Sequence, residues 1–175
     1  ESDEVLFQNH YRASGEVLLD NFTKALNGSP LAAGQFTFQL ADADGNVLQT
    51  VTNAADGSIP FEALTYDESD IGQEYTYTVS EVNNNVTGVA YDTTIYTVIV
   101  AVADSENSDG TLDITTTILN GEETIEGEEG ELPFITFTNT FGGTVTLTKQ
   151  NDSQQVLAGA EFQLYARMEG ADTYE

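Results

Sequence analysis

The stretch YTYTVSE at residues 75–81 decides the fold class, because large apolar side chains alternate in it with small polar ones. Side chains two positions apart on a β-strand point to the same face of the sheet. Tyr75, Tyr77 and Val79 would therefore line one face, and threonine and serine would line the other. This alternation is typical of a strand with one face in a core and the other in water.

Similar short segments recur along the chain and are separated by turn residues. Asn-Gly-Ser-Pro at 27–30 and the Asp-Gly pairs at 44–45, 56–57 and 109–110 are such turns. The segment 121–131 is rich in Glu and Gly and has no periodicity, which predicts a loop. Many short strands without a long helical pattern predict an all-β fold, an antiparallel Ig-like β-sandwich. The predicted strands lie near 16–24, 35–41, 46–52, 58–63, 73–82, 94–103, 111–119 and 133–141.

Composition limits the possible partners and compartments. The 175 residues carry a formal net charge of −26, which repels phosphate backbones and anionic lipid, so we expect neither a nucleic-acid nor a membrane partner. With 39% hydrophobic residues, nine Phe and eight Tyr, the chain can still build a core. It has no cysteine and therefore no disulfide or thiolate metal site. Its longest apolar run, 95–103, is too short to span a membrane and predicts a buried strand.

Weak internal repeats indicate that the chain is a segment of a longer tandem array. The segment FQNHY at 7–11 resembles FTNTF at 137–141, and LAAGQF at 31–36 resembles LAGAEF at 157–162. On this phasing residues 1–13 are the last strand of a preceding repeat or an N-terminal extension. Residues 14–141 form one complete unit, and residues 142–175 contain the opening strands of a second, similar domain that is incomplete.

The two lysines, Lys24 and Lys149, occupy equivalent places in this repeat, in a chain that has thirty Asp and Glu residues. Such scarcity indicates that lysine is kept for a chemical task. Alternation places Lys24 on a face with Leu18, Phe22 and Leu26. It also places Asn139 on a face with Ile135, Phe137 and Phe141, and Glu81 on the face of Tyr75, Tyr77 and Val79. Burying each polar group alone would be costly, so we expect the three to meet.

Their chemistry together predicts a covalent cross-link. A desolvated lysine has a lowered pKa and becomes a nucleophilic amine, and the asparagine carboxamide carbon is an electrophile. A buried glutamate has a raised pKa, so it could hydrogen-bond the amide oxygen and shuttle protons to the departing ammonia. Because the groups are held together, a Lys–Asn isopeptide bond could form once, without a cofactor.

The central unit resembles the isopeptide-linkage domains of Gram-positive pilins, which are related to the collagen-adhesin B-type (CnaB) domains. The matching stretches are KALNG at 24–28, GQFTFQL at 34–40, YTYTVSE at 75–81, GVAYD at 88–92 and FTNTF at 137–141. The resemblance implies that Lys24 bonds Asn139 with assistance from Glu81. It also implies that Asn9 and Lys149 belong to the incomplete cross-links of the neighbouring domains.

The resemblance further implies a function. It indicates a non-enzymatic stalk module of an extracellular, cell-wall-attached pilus or adhesin, with neighbouring repeats or pilus subunits as partners. A host ligand would be bound by a tip domain outside this chain. A ligand-binding adhesin module for a host glycan or matrix protein is the alternative. A carbohydrate-active enzyme ranks lower, because no carboxylate pair stands out and Trp is absent.

Two other motifs have simpler interpretations. Asp-Ala-Asp-Gly-Asn at 42–46 partly resembles a calcium loop, but it lacks the distal Glu and fits an ordinary hairpin turn. We therefore predict no metal site and no cofactor. The segment LPFIT at 132–136 is not a sortase sorting signal and indicates the entry of a strand.

Overall fold

Residues 11–107, 110–142, 148–159 and 161 are described by the computed structural model, and they form strands with one short 3-10 helix at Glu68–Asp70. The strands are β1 (Ser14–Val17), β2 (Phe22–Asn27), β3 (Thr37–Asp42), β4 (Val47–Thr52), β5 (Leu64–Asp67), β6 (Glu74–Val82), β7 (Val89–Ala90), β8 (Ile95–Asp104), β9 (Leu112–Asn120), β10 (Glu123–Ile125) and β11 (Ile135–Phe141). The chain divides into two units, Glu1–Gly142 and Gly143–Glu175.

The strands of the first unit form three sheets. Six strands follow one another in the order β10-β9-β8-β6-β3-β4, and all their pairings are antiparallel. A three-stranded sheet has the order β2-β11-β7, and β1 pairs with β5 in a small ribbon. The predicted all-β, Ig-like sandwich is confirmed.

The core lies between the six-stranded and the three-stranded sheet. Phe137 of β11 contacts Phe38 of β3 at a ring-centroid distance of 5.3 Å and Tyr96 of β8 at 5.2 Å. Phe22 of β2 also meets Tyr96, at 5.9 Å. Each such ring removes a large apolar area from water, worth about 1.5–3 kcal/mol per side chain. These contacts fix the distance between the two sheets and hence the position of any side chain that enters from either one.

The predicted strand at 16–24 is two strands in the structure, and this part of the prediction is wrong. The chain turns at Asp20, between β1 and β2, and the two strands belong to different sheets. Leu18 therefore does not share the face of Phe22 and is 50% exposed, whereas Phe22 is fully buried. Similarly, Phe141 at the end of β11 is exposed and does not continue the buried face of Phe137.

Two further strand predictions need correction. The segment 58–63 does not form a strand, because Pro60 lacks a ladder donor, although Ile59 and Phe61 are buried as the alternation predicts. The strand in this part of the chain is β5, just beyond residue 63, and it pairs with β1. The predicted loop at 121–131 contains β10, which folds back on β9 through the turn at Gly121-Glu122.

The pairing of β2 with β11 is parallel, unlike the antiparallel arrangement expected from the sequence. Parallel pairing requires a long connection along the chain. Here the connection from β2 to β11 contains all the strands from β3 to β10. The two strands therefore run in the same direction in the smaller sheet, with β11 at its centre and β2 at its edge.

The described part of the second unit is a short antiparallel turn. Gln150 and Val156 form a β-bridge, and the side chain of Asn151 accepts hydrogen bonds from the backbone N–H groups of Ser153 and Gln155. Lys149 is exposed next to this turn. Asn9 lies outside the described residues, so the two predicted neighbouring cross-links, at Asn9 and Lys149, stay predictions.

Candidate cross-link site

Lys24 enters the core from the middle of β2. Its backbone is held on both sides: β11 pairs with it in register at Phe137, and its N–H donates to the carbonyl of Gly57 at 2.7 Å. The residue as a whole is only 4% exposed, and its side chain is fully buried. A lysine in this position loses nearly all of its hydration, so it needs partners inside the core.

Glu81, near the end of β6 in the opposite sheet, supplies the partner. Its Oε2 lies 2.7 Å from Lys24 Nζ, and its side chain is also fully buried. Its Oε1 accepts a hydrogen bond from Asn139 Nδ2 at 2.6 Å, and Asn139 is fully buried on β11. One carboxylate therefore contacts both the amine and the carboxamide, through different oxygens.

Burial shifts both ionisable groups of the pair toward their neutral forms. Desolvation lowers the pKa of the Lys24 amine, and the hydrogen bond and charge of Glu81 oppose it only in part. Desolvation likewise raises the pKa of the Glu81 carboxyl, against the hydrogen bonds from Lys24 and Asn139. Because the two pKa values move toward each other, transfer of a proton from the amine to the carboxylate costs less than it would in water.

Aromatic rings close the site around the amine. Lys24 Nζ lies 4.7 Å from the ring centroid of Phe36 and 5.9 Å from that of Phe38. Such rings attract a cation through their faces and exclude water. Phe36 is in turn packed edge-on by Tyr91, with centroids 5.8 Å apart. The rings thus hold the amine in a dry pocket whether or not it carries a charge.

The carboxamide of Asn139 is also held from its oxygen side. Asn139 Oδ1 accepts a hydrogen bond from the backbone N–H of Asp92 at 2.7 Å. Because a backbone N–H can only donate, it fixes which end of the amide is oxygen and which is nitrogen. The orientation is therefore set: the amide nitrogen faces Glu81 and the amide oxygen faces Asp92.

The glycine that follows Asp56 lets the chain approach β2 closely. Gly57 has φ of +92°, and a Cβ built on it would lie 2.5 Å from the carbonyl oxygen of Lys24. Any other residue would push the strand or the loop away. Gly57 therefore helps to set the position of the lysine backbone.

Residues 21–142, more than half of the chain, match the model of the family FctA, described as the Spy0128-like isopeptide-containing domain. The chain belongs to this family. The resemblance to Gram-positive pilin isopeptide domains that the sequence indicated is thereby confirmed.

Solved structures similar to this family member include major pilins of Streptococcus pyogenes. One is 21% identical, with 77% of this chain and 51% of the pilin covered and a TM-score of 0.42. The T-13 major pilin is 18% identical, with 75% and 52% covered and a TM-score of 0.41. The chain thus spans about half the length of these pilins. No curated protein matches it in sequence.

The structure brings together the three residues that sequence reasoning selected in this isopeptide-domain family member, Lys24, Glu81 and Asn139. It corrects one detail of their geometry, since Glu81 contacts the amide nitrogen of Asn139 and not its oxygen. Sequence reasoning gave no role to Asp92, although it ends the quoted stretch 88–92. Aspartate side chains often accept a hydrogen bond from the backbone two residues on, and this tendency could have indicated that Asp92 binds the N–H of Thr94.

Other features of this isopeptide-domain family member concern metals and membranes. The Asp42 carboxylate accepts hydrogen bonds from the backbone of Asp44 and Asn46, so the acidic segment 42–46 closes its own hairpin turn. Within the described ranges, no group of three or more His, Cys, Asp or Glu side chains could hold a metal ion. In the same part of the chain there is no helix with the length and apolarity needed to cross a bilayer.

Proposed function

We propose that this chain is a shaft module of a Gram-positive surface pilus or adhesin, stabilised by an isopeptide bond that it forms itself between Lys24 and Asn139. The observation that carries the proposal is the buried Glu81 carboxylate, which contacts the amine with one oxygen and the carboxamide with the other. Family membership supports the same assignment.

The first step is a proton transfer inside the pair. Lys24 passes a proton from Nζ to Glu81 Oε2 across their 2.7 Å hydrogen bond, which leaves a neutral amine and a protonated acid. Burial favours this neutral pair, because it lowers the pKa of the amine and raises that of the acid. The amine then has a free electron pair with which to attack.

The bond-forming step joins Nζ of Lys24 to Cγ of Asn139. Negative charge collects on Oδ1, where the backbone N–H of Asp92 donates a hydrogen bond. The Cγ–Nδ2 bond then breaks, and Nδ2 leaves as ammonia. The ammonia nitrogen gains one proton through Glu81, whose Oε1 lies 2.6 Å from it, and the attacking nitrogen loses one proton to the same carboxyl group. Glu81 is then left with the proton that it took from Lys24 in the first step, and it returns to the carboxylate when it passes this proton to the departing ammonia. No cofactor or oxidant is needed.

The position of the bond supports a mechanical role. It would join two parallel strands of one sheet, β2 near the start of the unit and β11 at its end. A pull on the two ends of the unit would pass through the bond and bypass the six-stranded sheet. A self-formed tie of this kind can replace disulfides, which the chain cannot form because it has no cysteine.

The remaining assignments follow from the shaft role. Neighbouring repeats or pilus subunits are the partners, the location is the outer surface with attachment to the cell wall, and the protein turns over no substrate. The net charge of −26 keeps neighbouring modules soluble and apart. A host ligand would be bound by a tip domain outside this chain.

Intact-mass measurement combined with proteolysis tests the proposal. We expect the purified protein to weigh one ammonia less than its sequence, and Lys24→Ala, Asn139→Ala and Glu81→Gln to restore the sequence mass. The three variants should also be cleaved by a broad-specificity protease at temperatures at which the parent chain survives. An unmodified mass in a folded parent chain would contradict the proposal.

A further inference from the structure

We propose that Asp92 activates Asn139 for this reaction: its main-chain N–H stabilises the negative charge on the amide oxygen, and its carboxylate positions the strand that carries the amide. This inference rests on the proposed cross-linking function and adds the group that Glu81 cannot supply. Glu81 contacts the nitrogen side of the amide, so the oxygen side needs a separate donor.

The main-chain N–H of Asp92 satisfies the geometry for such a donor. Its nitrogen lies 2.7 Å from Asn139 Oδ1, within the range in which hydrogen bonds stabilise a developing oxyanion. The amide is fully buried, so water does not compete for the oxygen. A donor that is part of the backbone needs no rearrangement when the charge appears.

The carboxylate of Asp92 fixes the position of this N–H relative to β11. Its Oδ2 accepts the backbone N–H of Thr138, the residue before Asn139, at 2.9 Å. Its Oδ1 accepts the backbone N–H of Thr94 at 2.9 Å, which folds the chain into β8. The side chain thus continues the ladder where β7 ends, since Ala90 of β7 pairs with Thr140. These three hydrogen bonds clamp the carboxamide between two strands.

The charge of Asp92 also acts on the reacting pair. The charged groups that bear on Lys24 and Glu81, among the described residues, are these two groups themselves and Asp92. The negative charge of Asp92 raises the pKa of both, because it favours the more protonated form of each. The reaction needs the pair to carry one of its two exchangeable protons. It stops at low pH, where both Lys-NH3+ and Glu-COOH are protonated, and at high pH, where both Lys-NH2 and Glu-COO− are deprotonated. Removing the charge should therefore move both limbs of the pH–rate profile to lower pH.

The test is the rate of cross-linking in Asp92→Ala and Asp92→Asn. Unlinked chains are taken from the insoluble fraction in denaturant and refolded by dilution over a series of pH values, and the loss of ammonia is followed by intact mass. We expect both variants to cross-link roughly 10- to 100-fold more slowly than the parent chain, as misplacement of a reacting group does elsewhere. In Asp92→Asn, which keeps the shape of the side chain, both limbs should also shift to lower pH.

Asp42→Asn is the matched control. Asp42 likewise accepts hydrogen bonds from two backbone N–H groups in a turn. It lies at the far end of β3 from Phe38, the residue of β3 that pairs in register with Glu81. We expect it to cross-link at the parent rate with an unshifted profile. The same Asp92 substitutions in the Asn139→Ala background, where no bond forms, measure their effect on folding alone.

The outcomes separate this inference from the proposed function. If the parent chain never loses ammonia, the cross-linking function and this inference fail together. If the parent chain cross-links while folded Asp92→Asn does so at the parent rate and with the parent pH profile, only the role of Asp92 is overturned. A slower reaction whose limbs do not move would also overturn it, because a merely structural defect lowers the rate alike at every pH.

Discussion

Asn139 pairs in register with Leu26 and not with Lys24, so the two candidate partners are diagonal neighbours on parallel strands. Diagonal side chains on a sheet start about 7–8 Å apart, which a long lysine can span toward a short asparagine. The offset also leaves room for Glu81 from the opposite sheet to reach both groups. Three elements that are distant in the sequence therefore meet at one point in the core.

The buried pair predicts an unusual pH dependence for Lys24→Met. This variant leaves the Glu81 carboxyl buried without its cation, which costs about 3–5 kcal/mol when the acid is ionised. The pKa of Glu81 is raised by burial even with Lys24 present. A carboxyl whose folded pKa exceeds its unfolded value contributes stability at low pH and loses it as the pH rises. We therefore expect the free energy of unfolding of Lys24→Met to increase when the pH falls from about 8 to about 5.

The double variant Lys24→Met/Glu81→Gln is the control for this pH effect, because it also lacks the cross-link. Glutamine carries no charge, so its stability should change little with pH and should exceed that of the single variant near neutral pH. Denaturant unfolding of both at several pH values provides the measurement. Equal stability of the two variants at all these pH values would mean that Glu81 is not a buried, unpaired charge.

Mechanical unfolding should depend on the bond. In the parent chain, a pull on the ends should not extend the segment between Lys24 and Asn139, because the bond shortens the force path. In Asn139→Ala the same pull should release about 115 further residues, or about 400 Å of chain at full extension. Single-molecule force spectroscopy measures this difference. A parent chain that extends as far as Asn139→Ala would show that no tie joins β2 to β11.

The close approach of Gly57 to Lys24 predicts a position-specific effect. In Gly57→Ala the new Cβ would meet the Lys24 carbonyl, so β2 must shift and the amine must move with it. We expect slower cross-linking and a lower melting temperature. Gly45→Ala is the control, because Gly45 has a similar φ of +81° but nothing lies within 4 Å of a Cβ there. It should lose a little stability through backbone strain and cross-link at the parent rate.

Tyr75 predicts a late step in an alkaline titration. Its hydroxyl donates to Asp70, and this hydrogen bond, with some burial, raises its pKa to about 12. A phenol with a raised pKa contributes stability below pH 10.0, its ordinary value, and loses it as the pH rises through about 12. The ultraviolet absorbance of phenolate should therefore include a component near pH 12 that Tyr75→Phe removes. Its persistence in that variant would assign the component to another tyrosine.

Much of the larger sheet could be predicted from the sequence, because its strands are alternating or apolar segments bounded by turn residues. β6, β8 and β9 lie within two residues of their predicted positions, and the buried residues Val79, Val98 and Val100 follow the alternation. The three polar residues of the site were found in the same way, as exceptions on apolar faces. Local pattern is sufficient where one strand face is buried along its whole length.

The rest depends on contacts that local pattern does not encode. The break before Phe22 falls at Asp20-Asn21, but these two residues alone do not show that β1 pairs with β5 and leaves the sheet of β2. The parallel pairing of β2 with β11 joins segments more than a hundred residues apart. The N–H of Asp92 acts through the backbone, which is the same in every residue except proline. These features follow from tertiary structure and not from residue type.

The most direct measurement is a peptide map after cleavage at glutamate. No glutamate lies between Glu16 and Glu62 or between Glu131 and Glu161, so Lys24 is released within 17–62 and Asn139 within 132–161. Loss of ammonia alone is not decisive, because Asn-Gly pairs such as Asn27-Gly28 can also lose it by cyclising. We predict one branched species in which 17–62 and 132–161 are joined with the loss of one ammonia, and fragmentation should place the junction at Lys24 and Asn139. Separate, linear peptides from the folded protein would contradict the account.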